Sequence, residues 1–207
     1  MYRAKEHWNR EEIKLFKKLN NPKKIQDYLN TLKFNFEAGG DTCFSPRFVI
    51  RNKKAHCMEG AMFAAAVLEF HGAKPLVMDL RSQTHDFDHV VAVFRQFGHW
   101  GAISKTNHAV LRYREPIYKT IRELVMSYFH EYFDKYGLKT LREYSRPFDL
   151  RYFNKPQWRT SGRNLFAIPD YLDEIKHFDI LSLKQIKNLR HADKIEINAG
   201  KLVDWQK

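Results

Sequence analysis

Residues 54–72 read Lys-Ala-His-Cys-Met-Glu-Gly-Ala-Met-Phe-Ala-Ala-Ala-Val-Leu-Glu-Phe-His-Gly, and this stretch decides the fold. Its apolar side chains recur at helical spacing and Gly72 follows them, so the pattern predicts a buried helix from His56 to Phe70. Cys57 then lies at the N-terminus of that helix. Free amide N–H groups and the helix dipole favour a thiolate there, and the thiolate is the form of cysteine that acts as a nucleophile.

The segment that follows this helix predicts an antiparallel sheet. Residues 75–80 (Pro-Leu-Val-Met-Asp-Leu) and 89–95 (His-Val-Val-Ala-Val-Phe-Arg) have the apolar, β-branched composition of strands. A turn then lets residues 100–104 return antiparallel to the second strand as a hairpin. If this sheet packs on the helix, His89 comes within hydrogen-bond reach of Cys57. A cysteine, a histidine and a third group that orients the histidine form the arrangement for covalent acyl transfer.

Further helical patterns flank this core, and no linker or repeat divides the chain. The flanking predictions are helices at 10–20, 23–33, 116–136 and 182–189 and a final strand at 194–197. We therefore expect a single domain over residues 1–207. Its core spans about 23–136, and residues 138–207 form a C-terminal extension whose role the sequence does not indicate.

Four runs of this sequence resemble the catalytic core of the transglutaminase-like superfamily. They are 54–68, 71–77 (His-Gly-Ala-Lys-Pro-Leu-Val), 88–94 (Asp-His-Val-Val-Ala-Val-Phe) and 98–104 (Gly-His-Trp-Gly-Ala-Ile-Ser), and together they cover about residues 50–110. The resemblance implies an α+β, papain-like fold in which a cysteine-bearing helix packs on an antiparallel sheet, with helical additions at the N- and C-terminal sides. It also implies chemistry on a carboxamide or peptide bond, by hydrolysis or by transfer to an amine. Cys57 matches the family's nucleophile and His89 its histidine.

The third position of the family's pattern does not match. The family has an aspartate shortly after a tryptophan on the next strand, whereas this chain has Ser104 after Trp100, and Asn107 three residues later. An asparagine can orient a histidine through its carbonyl oxygen, and a serine can do so more weakly. The alternative is that the third group is absent and the domain binds a partner without catalysis.

The charge of the chain allows a second class of function. The sequence has 36 Lys and Arg against 24 Asp and Glu, a formal net charge of +12, which attracts polyanions. Nucleic acid is therefore a possible but weakly supported partner, because lysines at helical spacing also form ordinary solvated faces and the sequence has no recognised nucleic-acid motif. A basic surface that binds an anionic partner is the non-catalytic alternative to the enzyme. No phosphate-binding glycine loop indicates a nucleotide cofactor.

The remaining chemical side chains carry weaker predictions. Residues 85–89 (His-Asp-Phe-Asp-His) could bind zinc, but no paired metal-ligand spacing supports this, so we predict neither a metal nor a cofactor. We expect Cys43 to be structural, with a resolving thiol as the alternative, and Glu59 to cap the helix.

The setting of the protein is predicted from composition. No apolar run approaches the ~20 residues that span a bilayer, and two cysteines without a signal-peptide pattern favour a reduced, cytoplasmic protein. Protein, peptide or small-amide substrates fit the implied chemistry. The sequence does not indicate an oligomeric state.

Overall fold

The computed structural model describes residues 4–83, 85–153 and 157–203, and it shows a mixed α+β fold built on an antiparallel sheet. The α-helices are α1 (Arg10–Lys18), α2 (Pro22–Thr31), α3 (Pro46–Asn52), α4 (Cys57–Phe70), α5 (Ile121–Phe129), α6 (Ala167–Glu174), α7 (Leu183–Lys187) and α8 (Lys194–Gly200). The strands are β1 (Lys33–Phe34), β2 (Lys54–Ala55), β3 (Leu76–Arg81), β4 (His89–Gln96), β5 (His99–Ile103), β6 (Arg114–Tyr118), β7 (Glu143–Ser145), β8 (Phe148–Asp149) and β9 (His177–Asp179). Among the described residues, no helix combines the length and the apolar character that crossing a membrane requires.

The main sheet has the strand order β6-β5-β4-β3-β7-β9, and β8 also pairs with β3. Its pairs are antiparallel, whereas β1 and β2 form a separate parallel pair just before α4. Phe97 and Gly98 connect β4 to β5, and both have positive φ angles, of 52° and 79°, as a two-residue hairpin turn requires. The predicted hairpin is therefore confirmed.

The sheet separates two hydrophobic cores, because successive side chains of a strand point to opposite faces. Val77 and Ala92 belong to the core that contains α4, whereas Met78 and Val91 belong to the core that contains α5. Every residue of α4 after Cys57 is buried, since the helix has the sheet on one side and α2 and α3 on the other. A helix that is apolar all round needs such an enclosed position, and the predicted buried helix is confirmed.

Two predicted elements are wrong. Residues 116–136 are not one long helix: 114–118 form the edge strand β6, and the helix α5 covers only Ile121–Phe129. Thr120 explains where α5 begins, because its side chain accepts a hydrogen bond from the Glu123 amide and Glu123 caps the Thr120 amide in return. Residues 194–197 lie in the helix α8 instead of a strand, since Asp193 and Glu196 form the same kind of cap.

The C-terminal stretch is more than a helical addition to the core. It supplies β7, β8 and β9 to the main sheet, and it buries Trp158 and Arg159 completely. Arg159 forms a two-point ion pair with Glu69 of α4, with its Nε 2.6 Å and its second guanidinium nitrogen 2.7 Å from the carboxylate oxygens. This ion pair thus connects the C-terminal stretch with the helix that begins with Cys57.

Candidate active site

Cys57 is the first residue of α4, and the start of the helix is fixed by two of its neighbours. His56 is the N-cap residue with an extended backbone, and its amide N–H donates to Glu59 Oε2 over 3.0 Å. The predicted capping role of Glu59 is confirmed. The thiol therefore lies at the positive end of a buried fourteen-residue helix, beside the amide groups of its first turn.

The structure brings His89 and Ser104 to this thiol. His89, the first residue of β4, is close enough to Cys57 to lower the pKa of its thiol, and His89 Nε2 lies 2.7 Å from Ser104 Oγ. Ser104 Oγ donates its own proton to the Leu111 carbonyl over 2.6 Å, so it accepts from His89 Nε2–H. With Nε2 used in this way, Nδ1 is the ring nitrogen that faces Cys57. This tautomer can take a proton at Nδ1.

Helix α2 determines where Ser104 lies. The Gln26 side chain accepts from the Ser104 amide over 2.9 Å and donates to the Ser104 carbonyl over 2.8 Å. The neighbouring Lys105 is buried, and its Nζ donates to the Leu29 and Leu32 carbonyls at the C-terminal end of α2, over 3.0 and 2.6 Å. A cation is favourable at that end of a helix. Backbone and side-chain bonds thus hold the residue that orients His89.

Asn107, the other predicted third residue, does not take part in this contact. Its side chain is buried, but among the described residues no hydrogen bond joins it to His89. Of the two predicted alternatives, Ser104 and Asn107, it is Ser104 that forms a hydrogen bond with His89. Asn107 lies in the irregular segment between β5 and β6.

A second imidazole, which the sequence analysis did not select, also contacts the thiol. His56 directly precedes Cys57 and lowers the pKa of its thiol, and His56 Nε2 lies 3.0 Å from the Thr42 carbonyl oxygen. The same nitrogen lies 3.4 Å from Glu59 Oε1 and 3.7 Å from Glu37 Oε1. His56 precedes Cys57 in the chain, but its role depends on the loop around Thr42 folding over it. No periodicity in the sequence predicts that contact.

The carboxylate beside His56 is held by a set of donors. Glu59 is completely buried, and its oxygens accept hydrogen bonds from Thr42 Oγ1 (2.9 Å), the Phe44 amide (2.9 Å), Asn35 Nδ2 (3.1 Å) and the His56 amide (3.0 Å). Buried charges need this degree of compensation. Glu59 is therefore both the cap of α4 and a fixed acceptor next to the second imidazole.

These contacts set the ionisation of the site. Burial raises the pKa of Cys57, but the hydrogen bonds with His56 and His89 and the charges of both rings outweigh it and lower that pKa to about 5. Burial lowers the pKa of His56, but its hydrogen bond with Cys57, the charges of Cys57 and Glu59 and the Thr42 carbonyl raise that pKa to about 9. Between these values the pair is a thiolate and an imidazolium.

Cys43 has the opposite environment. Its side chain is 1% exposed, and burial, with the charge of Glu59 adding to it, raises the pKa of its thiol to about 12. Such a thiol stays protonated at neutral pH and is a poor nucleophile. The two cysteines therefore have pKa values shifted in opposite directions within one protein.

The possible zinc ligands at residues 85–89, which the sequence did not favour as a metal site, do not converge on one point. His85 pairs with Asp134, Asp86 with Thr140, and His89 with Ser104 and Cys57. Asp88 instead lies near two other carboxylates, those of Asp79 and Asp173. One oxygen of each of the three lies within 4.8 Å of the others, so among the described residues this group could hold a cation. Asp79 is already paired with His177 Nε2 over 3.0 Å, and Asp88 accepts from the Ser82 amide over 2.7 Å.

The sequence matches no model of a protein family, and no curated protein is similar to it at a significant level.

Proposed function

We propose that this chain is a transglutaminase-like cysteine enzyme that acts on a carboxamide or peptide bond through a thioester at Cys57. The observation that supports it best is the chain of contacts Cys57, His89, Ser104 at the N-terminus of a buried helix. A thiol beside an oriented imidazole that can take its proton is the minimum machinery for acyl transfer. A protein, peptide or small amide as the substrate and a cytoplasmic location are part of the same proposal.

The geometry supports a two-step reaction. The Cys57 thiol passes its proton to His89 Nδ1, the thiolate attacks the carbonyl carbon, a C–S bond forms, and the carbonyl electron pair moves to the oxygen, where first-turn amides of α4 can stabilise it. The tetrahedral intermediate collapses, the C–N bond breaks, and the leaving nitrogen takes the proton from His89 Nδ1. In the second step His89 removes a proton from water or an amine, which attacks the thioester and releases the thiolate. Water gives hydrolysis, and an amine gives transfer.

An activated ester tests the nucleophile without knowledge of the natural substrate. With p-nitrophenyl acetate, we expect a burst of one equivalent of p-nitrophenolate and an acetyl group on the Cys57 peptide by mass spectrometry. Cys57→Ser should abolish the burst, whereas Cys43→Ser, the matched control, should retain it, because the Cys43 thiol is buried and protonated. Benzyloxycarbonyl-glutaminyl-glycine with hydroxylamine, and ammonia release from the same peptide, then distinguish transfer from hydrolysis.

The role of His89 has its own readout in the same assay. His89→Asn should still be acetylated, since p-nitrophenolate leaves without a proton, but loss of the acetyl group should slow by about 10²-fold or more because no base activates water. A wild-type protein that shows no burst dependent on Cys57 would contradict the proposal. The basic, non-catalytic binding domain would then be the better description.

A further inference from the structure

His56 stands out because it contacts the reactive sulfur and has no part in the reaction described above. Its Nε2 lies 3.0 Å from the Thr42 carbonyl oxygen, which can only accept, so Nε2 carries a proton. Nδ1 is the nitrogen of this ring that remains free beside Cys57, whose thiol pKa His56 lowers. Two imidazoles thus contact one sulfur, each through the nitrogen that its other partner leaves free.

The two imidazoles differ in what lies behind them. Behind His89 is the neutral hydroxyl of Ser104, at 2.7 Å. Behind His56 are carboxylates, with Glu59 Oε1 at 3.4 Å and Glu37 Oε1 at 3.7 Å from Nε2. A nearby carboxylate stabilises an imidazolium, whereas a hydroxyl orients a ring without fixing its charge. The carboxylate that the third position of the site lacks is therefore present next to the other histidine.

The surroundings of His56 favour one protonation state. The charged and titratable groups that face it are Glu37 from the loop after β1, Glu59 from the first turn of α4, the Cys57 thiolate, and His89 on the far side of that sulfur. Two carboxylates and a thiolate therefore face His56, against one other imidazole, that of His89. Glu59 is held in place by its hydrogen-bond donors from residues 35–44. His56 cannot lose a proton without leaving this negative charge uncompensated.

We infer that His56 is a second catalytic imidazole of this site, a fixed imidazolium that holds the Cys57 thiolate while His89 alone carries the proton that moves. The inference rests on the proposed function and assigns the two histidines different tasks within it. His56 keeps both of its N–H protons through acylation and deacylation, so no bond to it forms or breaks. Glu59 and the Thr42 carbonyl are positioning groups that act through His56.

The test compares thiolate formation with proton transfer. The rate of iodoacetamide alkylation at the Cys57 peptide is measured from pH 4 to 10 in the wild type and in His56→Asn, His89→Asn and Glu59→Gln. We expect His56→Asn to move the alkylation midpoint up by at least two pH units, which lowers the rate at pH 6 about tenfold or more. Glu59→Gln should move the midpoint in the same direction. Deacylation of acetyl-Cys57 should fall strongly in His89→Asn, which lacks the base, and much less in His56→Asn, which loses only stabilisation of the departing thiolate.

Two controls keep the result interpretable. His71→Asn removes another carbonyl-bonded histidine from the opposite end of α4, where Nε2 lies 2.8 Å from the Phe16 carbonyl, and should leave the midpoint unchanged. Cys43 is buried, so its labelling reports loss of the fold in any variant. An unchanged midpoint in folded His56→Asn, or deacylation slowed as much as in His89→Asn, overturns the inference. Alkylation needs no carboxamide chemistry, so a shifted midpoint without amide turnover would overturn only the proposed function.

Discussion

Ser104 makes a single neutral hydrogen bond to His89 of the proposed triad, and the contribution of this bond to the reaction rate can be measured. Ser104→Ala leaves His89 Nε2–H without its acceptor. A neutral hydrogen bond contributes about 1 to 1.5 kcal/mol, so deacylation of acetyl-Cys57 should slow by roughly 5- to 12-fold. Measuring that step by the decay of the acetylated mass tests the assignment.

Asn107→Ala is the matched control for Ser104→Ala. Both residues are buried, both lie after β5, and Asn107 has no hydrogen bond to His89 among the described residues. We expect the Asn107 variant to deacylate at the wild-type rate. The reverse result, a slow Asn107 variant and a normal Ser104 variant, would mean that Asn107 orients His89 during the reaction.

The residues of the site differ in how far the sequence could predict them. Cys57 could be predicted because the helix pattern after it is unambiguous, and His89 could be predicted because it is the first residue of an apolar strand. Ser104 and Asn107 remained alternatives, since the choice between them depends on Gln26 in another helix. His56 was missed because its partners Thr42 and Glu37 come from a loop fourteen or more residues away in sequence, and only the fold brings them together.

The packing of α4 against the segment after β5 determines how close Ser104 lies to Cys57. A Cβ atom on Gly60 would lie against the Lys105 side chain far closer than real atoms approach. Gly60→Ala should therefore push residues 104 and 105 away from α4 and destabilise the fold by about 1 to 2 kcal/mol, even though alanine favours a helix by about 1 kcal/mol. Urea unfolding measures the first effect, and slower deacylation should accompany it because Ser104 moves.

Gly162→Ala provides the control for this substitution. A Cβ atom there meets nothing within 4 Å, and Gly162 does not have a positive φ angle. Its stability and deacylation should match the wild type. If Gly60→Ala were as stable and as active as Gly162→Ala, the close packing of α4 on Lys105 would not be what positions Ser104.

Helices and strands could be predicted where one sequence pattern dominated, and could not where a helical pattern and a strand position competed. The run from 116 to 136 has helical spacing throughout, yet residues 114–118 form β6, because the exposed edge of β5 offers hydrogen bonds to a neighbouring strand. Ile117 and Tyr136, which the spacing assigned to a buried stripe, are each 66% exposed. Local periodicity does not show which sheet edge is open, and this is why the strand was missed.

The distribution of charge over the whole molecule differs from the charge around the site. The chain has a formal net charge of +12, but two carboxylates, Glu37 and Glu59, lie beside His56, and Asp79 lies beside Asp88. Net charge therefore predicted a surface property and nothing about the site.

The buried ion pair between Arg159 and Glu69 tests whether the C-terminal stretch belongs to the same cooperative unit as α4. Both side chains are at least 95% buried, so Arg159→Met leaves Glu69 as an uncompensated buried charge. We expect the free energy of unfolding in urea to fall by about 3 to 5 kcal/mol, in a single transition. Glu69→Met combined with Arg159→Met removes both charges and should recover most of that loss, because two apolar side chains can fill the same space.

An exposed ion pair of the same chemistry supplies the comparison. Arg190 and Asp193 are 75% and 55% exposed, and Arg190→Met should leave the unfolding free energy close to the wild-type value, because solvent screens an exposed ion pair. If Arg159→Met were as mild as Arg190→Met, or if it unfolded the C-terminal stretch in a separate early transition, that stretch would be an appendage. A large loss that the double variant reverses would instead mean that residues from 157 onward stabilise the helix on which Cys57 depends.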